Sequence, residues 1–398
     1  MNRKIRFSAI SLVIAILLLL SACSSQKTSS SSEKDPIVLG STMAMTGGTG
    51  YLGQGFKKSY DLAIKKINED GGINGRKVKI IYYDDENKPE KAVQNVQRLI
   101  KKDGVHIILG PSTATTSSAV QPIVDREKVI MFSGSSAYTA PANSFGFNTT
   151  LKQEAMHQIH HEWFIQKGIK KVGLLATTDS SGDVSVNIVN SKFNHKNGIE
   201  YVIERMGLDE TDVSPQLTKL KSEGIQALVI IGPGAPPIIA IKNAVQANFN
   251  MPILLTHSQV SRQFAESIKG FIPNQLYFAG TAPMAYKEVQ ADNPLKPLMV
   301  KFAEDYKKEY NAEIDHVAAV GYDSVLSVIK GIQMAGSDDP AKIKNVFETK
   351  FKNMNFTTSV VNYTTKDHQG TNMDGAVLLR LDKDLSWHIE WEPKFWKK

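Results

Sequence analysis

From Ile37 onward the chain alternates two kinds of apolar segment, and that alternation leaves few architectures open. Short runs rich in β-branched residues are followed by longer stretches with apolar residues at helical spacing. Residues 37–41 read as a strand, and 54–70 place Phe56, Tyr60, Ala63, Ile64 and Ile67 on one helical face. A second strand at 78–83 ends in Asp84-Asp85. Pro89 then opens a helix whose Ala92, Val93, Val96, Leu99 and Ile100 form one face before Gly104 stops it. A strand at 105–110, a helix at 116–125 and a strand at 129–132 complete a βαβαβαβ block, which implies a parallel sheet covered by helices on both faces.

The pattern restarts with helices at 153–166, 184–197, 217–222 and 238–248, interleaved with strands at 171–176, 199–205, 227–231 and 253–256. About 360 residues follow position 34, too many for one core. Two similar blocks therefore read as two α/β lobes rather than one very wide sheet. Helices at 298–310, 317–335 and 341–350 and strands at 375–381 and 387–391 must complete one lobe or the other.

Ahead of the first block, Arg3, Lys4 and Arg6 precede an apolar run from Phe7 to Leu20, which is too short to span a bilayer and reads as a secretory signal peptide over 1–22. Leu20-Ser21-Ala22-Cys23 resembles a bacterial lipobox, which implies cutting before Cys23 and its lipidation. Cys23 is the one cysteine in the sequence, so intrachain disulfides and cysteine metal sites are excluded. The Ser-rich stretch 23–35 reads as a flexible tether. Setting aside the three signal cations, the net charge of +7 falls to +4 without blocks of one sign, which gives no footprint for nucleic acid.

Gly48, Gly50 and Gly53 match G-x-G-x-x-G, but Thr42 to Thr46 separate them from the strand and no acid follows at the spacing a dinucleotide site needs. The same glycines would instead let a loop approach a ligand. His157, His160 and His161 share a helix with Glu154; with no ligand from a second segment they read as the polar face of a surface helix, not a metal site. No nucleophile elbow, phosphate loop or HExxH run is present, so an exported enzyme has no catalytic constellation to stand on.

Ligands of open parallel sheets lie beyond the carboxyl ends of the strands. Those ends supply the candidate ligand-binding residues: Thr46 and Tyr51 after the first strand, Ser112, Thr113, Ala114 and Thr115 after the third, and Ser133, Ser135, Ser136, Ala137 and Tyr138 after the fourth. The second block adds Asp179, Ser181, Gly234, His257 and Ser258. The clusters at 112–116 and 133–136 stand at or near helix starts, where free N–H groups and the helix dipole favour a carboxylate. Plain helix capping by Ser and Thr is the other reading of any one of them.

Several of these stretches, taken in order, resemble the leucine/isoleucine/valine-binding proteins among the type I periplasmic binding proteins. The resemblance rests on Thr46-Gly47, Ala63-Ile64 with Ile67-Asn68, Gly71-Gly72-Ile73-Asn74-Gly75, Tyr83-Asp84-Asp85, Pro89 with Ala92, Ile108-Leu109-Gly110-Pro111, and Gly321-Tyr322-Asp323-Ser324-Val325 leading to Ala335-Gly336. It implies two three-layer αβα lobes joined by three crossovers, closing on a small-molecule ligand and feeding the permease of an ABC importer, with no cofactor and as a monomer. The lobes are expected at 36–149 plus 282–356 and 150–281 plus 357–398.

It also implies that the ligand carboxylate meets 112–115 and 133–137. The acid that would meet an ammonium is absent from Thr256-His257-Ser258-Gln259, and tyrosines expected at 232–235 and near Ser181 are absent too. Either Asp179 substitutes, or the ligand is an aromatic or branched aliphatic acid without an amine. A sensory subunit serving a membrane receptor is the alternative function. A lipid tether suits a cell that would otherwise lose the protein to the medium, and so the outer face of a Gram-positive type cytoplasmic membrane.

Overall fold

The β-branched runs become strands between covering helices, the inner ones buried on both faces and the edge runs at 78–84 and 200–206 half-buried. The computed structural model describes residues 35–371 and 373–392. The first sheet contains β1 (Ile37–Met43), β2 (Val78–Asp84), β3 (Ile107–Leu109), β4 (Ile130–Ser133) and β5 (Gly146–Asn148), all parallel in the order β2-β1-β3-β4-β5. Between them run α1 (Gly50–Glu69), α2 (Pro89–Lys101) and α3 (Ala114–Glu127).

The chain then enters a second sheet through α4 (Gln153–Lys167), β6 (Lys171–Thr177), α5 (Ser180–Ile188), β7 (Glu200–Met206), α6 (Ser214–Ser222), β8 (Ala227–Ile231), α7 (Pro236–Gln246), β9 (Ile253–Thr256), α8 (Arg262–Ile268) and β10 (Leu276–Thr281). It returns to the first lobe for α9 (Lys296–Tyr310), α10 (His316–Ala335) and α11 (Pro340–Lys350), and forms the small hairpin of β11 (Met354–Asn355) and β12 (Val360–Val361). Finally β13 (Ala376–Leu381) and β14 (Trp387–Trp391) add antiparallel strands to the second sheet, whose order is β14-β13-β10-β9-β8-β6-β7. Buried apolar clusters lie on both faces of each sheet, giving two three-layer lobes.

Helix α10 is the spine of the first lobe and packs along α1. A Cβ on Gly321 would lie 2.3 Å from Ser59 Oγ and 3.0 Å from the Phe56 ring, so glycine is what lets these helices approach. Two residues on, Asp323 accepts four hydrogen bonds, from Thr357 N (2.9 Å) and Oγ1 (2.8 Å) and from Thr358 N (2.9 Å) and Oγ1 (2.7 Å).

This anchors the return segment to the first lobe. The segment stays there: Tyr363 Oη donates to Asn148 O at 3.1 Å, His368 Nδ1 lies 2.9 Å from Gly146 O, and Thr371 Oγ1 donates to Thr150 O at 2.9 Å. The last passage into the second sheet therefore falls between Thr371 and Ala376, beyond the expected crossing near 356, because buried polar groups tie 357–371 to β5 and its exit. The signal peptide 1–22, Cys23 and most of the tether 23–35 lie outside the described residues.

Candidate functional site

The carboxyl ends of the two sheets converge on a cavity with about 590 Å³ of atom-free space, part of it continuous with solvent. On the first-lobe side stands the N-terminus of α3. Thr113 is its N-cap, with Oγ1 accepting from Thr116 N at 3.5 Å and donating to Asn87 Oδ1 at 2.6 Å. Ser112 and Ala114 flank it in the cavity wall, and Ser112 Oγ accepts from Ala44 N at 3.2 Å. The loop after β4 adds Gly134, Ser135, Ser136 and Ala137. A Cβ on Gly134 would lie 2.6 Å from the Phe56 ring, so this loop can close over α1 only without a side chain there.

From the second lobe come Asp179, Ser181, His257 and Ser258. Asp179 caps α5: its Oδ1 accepts from Gly182 N at 3.1 Å and Thr177 Oγ1 at 2.6 Å. Ser258 Oγ donates to Gln259 Oε1 at 3.0 Å. The hydroxyls and the α3 amides make one end of the cavity a set of hydrogen-bond donors beside a positive helix end, suited to a carboxylate.

Ten of the sixteen residues expected at the site line this cavity, while Thr46, Tyr51, Thr115, Ser133, Tyr138 and Gly234 do not. Three of those six form the seam between the lobes. Tyr51 Oη donates to Ser258 O at 3.2 Å, Thr115 Oγ1 donates to Ser180 Oγ at 3.4 Å, and a Cβ on Gly234 would approach Gly48 O to 3.4 Å. The other three serve the first lobe alone. Thr46 Oγ1 donates to Asp84 Oδ2 at 2.6 Å, Ser133 is buried against Ser117 Oγ at 2.8 Å, and the Tyr138 hydroxyl turns away to Gln121.

Sequence reasoning missed Leu52, Phe56, Val317 and Val320, which give the cavity its apolar side, and also Gln153, Pro233, Thr256 and His316. Leu52 and Phe56 are one helical turn apart, as are Val317 and Val320, and that spacing is the same for a core face as for a ligand wall. Gln153 joins the lobes, accepting from Ser136 Oγ at 3.1 Å and donating to Ser185 Oγ at 2.6 Å.

Two expectations need correction. His157, His160 and His161 do not form an exposed polar face. All three are buried, with His157 Nε2 3.0 Å from Ser185 Oγ, His160 Nε2 3.0 Å from Leu255 O and His161 Nε2 3.2 Å from Asn197 Oδ1. Burial pushes His157 down to about 3 and His160 to about 4, so both rings are neutral. Nor does Gly53 bring a loop to the ligand: a Cβ there would lie 2.1 Å from Ala44 O, so it seats α1 against the end of β1.

Two mostly parallel-stranded α/β lobes whose facing strand ends enclose a cavity with a polar end and an apolar side define a bilobed small-molecule binding protein. A family model described as periplasmic binding protein matches residues 36–384, and the chain belongs to that family. A leucine-, isoleucine-, valine-, threonine- and alanine-binding protein of Pseudomonas aeruginosa is 24% identical over 311 residues, covering 74% of this chain and 79% of its relative.

Among solved structures, a leucine-binding protein, LivK, of Thermotoga maritima superposes with a TM-score of 0.78 at 22% identity, covering 90% of this chain and 99% of that one. A fatty acid ABC transporter substrate-binding protein of Thermomonospora curvata superposes with a TM-score of 0.77 at 19% identity, covering 90% and 92%. These relatives are binding proteins rather than enzymes.

Proposed function

We propose that this chain is the extracytoplasmic solute-binding lipoprotein of an ABC importer, and that it captures a small carboxylate-bearing organic solute between its two lobes without chemical change. The observation that carries this reading is the pairing, in one cavity, of the α3 N-terminus and the Ser135–Ala137 loop with Asp179, Ser181 and 256–258 from the opposite lobe. A solute bridging both sets favours the closed arrangement over any open one, since contacts from both lobes exist only when the cleft is shut.

The ligands named for the relatives support the carboxylate. Leucine and a fatty acid share that group and a saturated hydrocarbon body. Asp179 is the acid available to an α-ammonium, while Leu52, Phe56, Val317 and Val320 suit a hydrocarbon body. Lipidation at Cys23, with a tether reaching residue 35, would hold the clamp at the outer face of the cytoplasmic membrane, where permease subunits can receive the solute.

The test is a thermal-shift screen of amino acids, aromatic acids and short-chain acids, with the recovered solute checked by chromatography. At least one acid raises the melting temperature and is recovered unchanged. Turnover of the solute, or stabilisation by none of the acids, contradicts the reading.

A further inference from the structure

Among the described residues, two buried side-chain atoms of residues in the cavity wall lack a hydrogen-bond partner: His257 Nδ1 and His316 Nε2. The two rings come from opposite lobes, His257 directly after β9 and His316 at the first turn of α10. They stack with centroids 4.1 Å apart and planes 25° from parallel. Both are held in place. His316 N donates to Val260 O at 3.1 Å, and its Nδ1 lies 2.9 Å from Thr281 Oγ1. A Cβ on Gly280 would come within 2.9 Å of His257 Cβ, so β10 leaves this space for the residue. Two fixed, desolvated nitrogens without partners are costly unless a bound group completes them.

We propose that His257 and His316 form a second polar subsite, which takes an uncharged hydrogen-bonding group, a hydroxyl or a carboxamide, at the end of the solute opposite its carboxylate. This rests on the function proposed above and narrows its substrate class.

Burial keeps both rings neutral, and each stacked ring opposes a charge on the other. A second carboxylate on the solute would need an imidazolium opposite it. A terminal ammonium would be stripped of water with only ring lone pairs to face it. The nearest acid in sequence, Asp315, is turned into its own helix, where Oδ1 accepts from Ala318 N at 2.7 Å. A hydrocarbon end would leave both nitrogens unpaired. A hydroxyl or carboxamide both donates and accepts, and so satisfies either tautomer of each ring.

The test is calorimetric titration of matched probes differing only at the far end. One set is pentanoate, 5-hydroxypentanoate, glutaramate, 5-aminopentanoate and glutarate. A second is norvaline, 5-hydroxynorvaline, glutamine, ornithine and glutamate, and a third is phenylacetate with 4-hydroxyphenylacetate. In at least one set the hydroxyl or carboxamide member binds about tenfold tighter than its hydrocarbon and charged counterparts. His257→Phe erases that preference without lowering the melting temperature of the unliganded protein, and His316→Phe erases it while lowering that temperature, since it strips the buried Thr281 Oγ1 of its partner.

A wild-type ranking led by a hydrocarbon, ammonium or dicarboxylate member overturns the inference, and so does a preference that survives both substitutions. If acids bind with no preference at the far end, only this inference fails. If no acid in any set binds, the proposed function fails with it.

Discussion

Asp323 shows how one buried residue can hold a long segment in place. Burial raises its carboxyl to about 6 although four donors converge on it, so the hydrogen bonds only partly offset its desolvation. Asp323→Ala would strip partners from two buried threonines and release the segment 357–371. The expected loss is about 3 kcal/mol by chemical denaturation. A loss below about 0.5 kcal/mol would mean that Asp323 does not anchor the segment.

The buried histidines set the pH dependence of stability. His157, His160 and His257 have folded values of about 3, 4 and 3, below the roughly 6.5 of an unfolded chain. Their contribution is full above that value and is lost as pH falls toward the folded ones, about 2 kcal/mol each between pH 7 and pH 5. Asp85, Asp315 and Asp323, raised to about 6, act in the opposite sense and return about 1 kcal/mol each over that interval. The histidines prevail, and His316, also displaced well downward, adds to them. Calorimetry should find the melting temperature several degrees lower at pH 5 than at pH 7. An unchanged or higher value at pH 5 would contradict the assignment of neutral rings.

At the scale of elements, the strands and helices of the first block were legible because their apolar periods are long and cleanly bounded. β5 was not, since three residues with glycine and asparagine at its ends carry no alternation, and only pairing with β4 makes Gly146–Asn148 a strand. α4 misled for another reason. Its three histidines look polar in a sequence, but carbonyl, hydroxyl and amide partners from β9, α5 and 194–199 let the helix bury them.

The cavity was legible where polar residues follow strand ends and opaque where apolar residues face it. Nothing in the spacing of Leu52 and Phe56 separates a ligand wall from a core, and His316 was hidden because α10 follows no strand of the first block. The proposed lipid anchor at Cys23 has its own test. Cys23→Ala should abolish recovery in the membrane fraction and leave the solute affinity of the isolated domain unchanged. Retention in the membrane after correct export, or lower affinity once the tether is gone, would contradict the division into anchor, linker and clamp.

Across the whole molecule, the function rests on the seam being weak enough to open. Its direct ties include Tyr51 to Ser258, Thr115 to Ser180 and Ser136 to Gln153, all single hydrogen bonds between neutral groups. Each contributes about 1 kcal/mol, so a solute held by both lobes can govern the balance between open and closed forms. Small-angle X-ray scattering of the protein with and without a saturating acid found in the thermal screen measures this directly. The account predicts that the acid lowers the radius of gyration and brings the scattering curve onto that calculated for the closed arrangement described above. Stoichiometric binding with an unchanged curve would show that the solute is held without closure, and would contradict the claim that the two lobes act as a clamp.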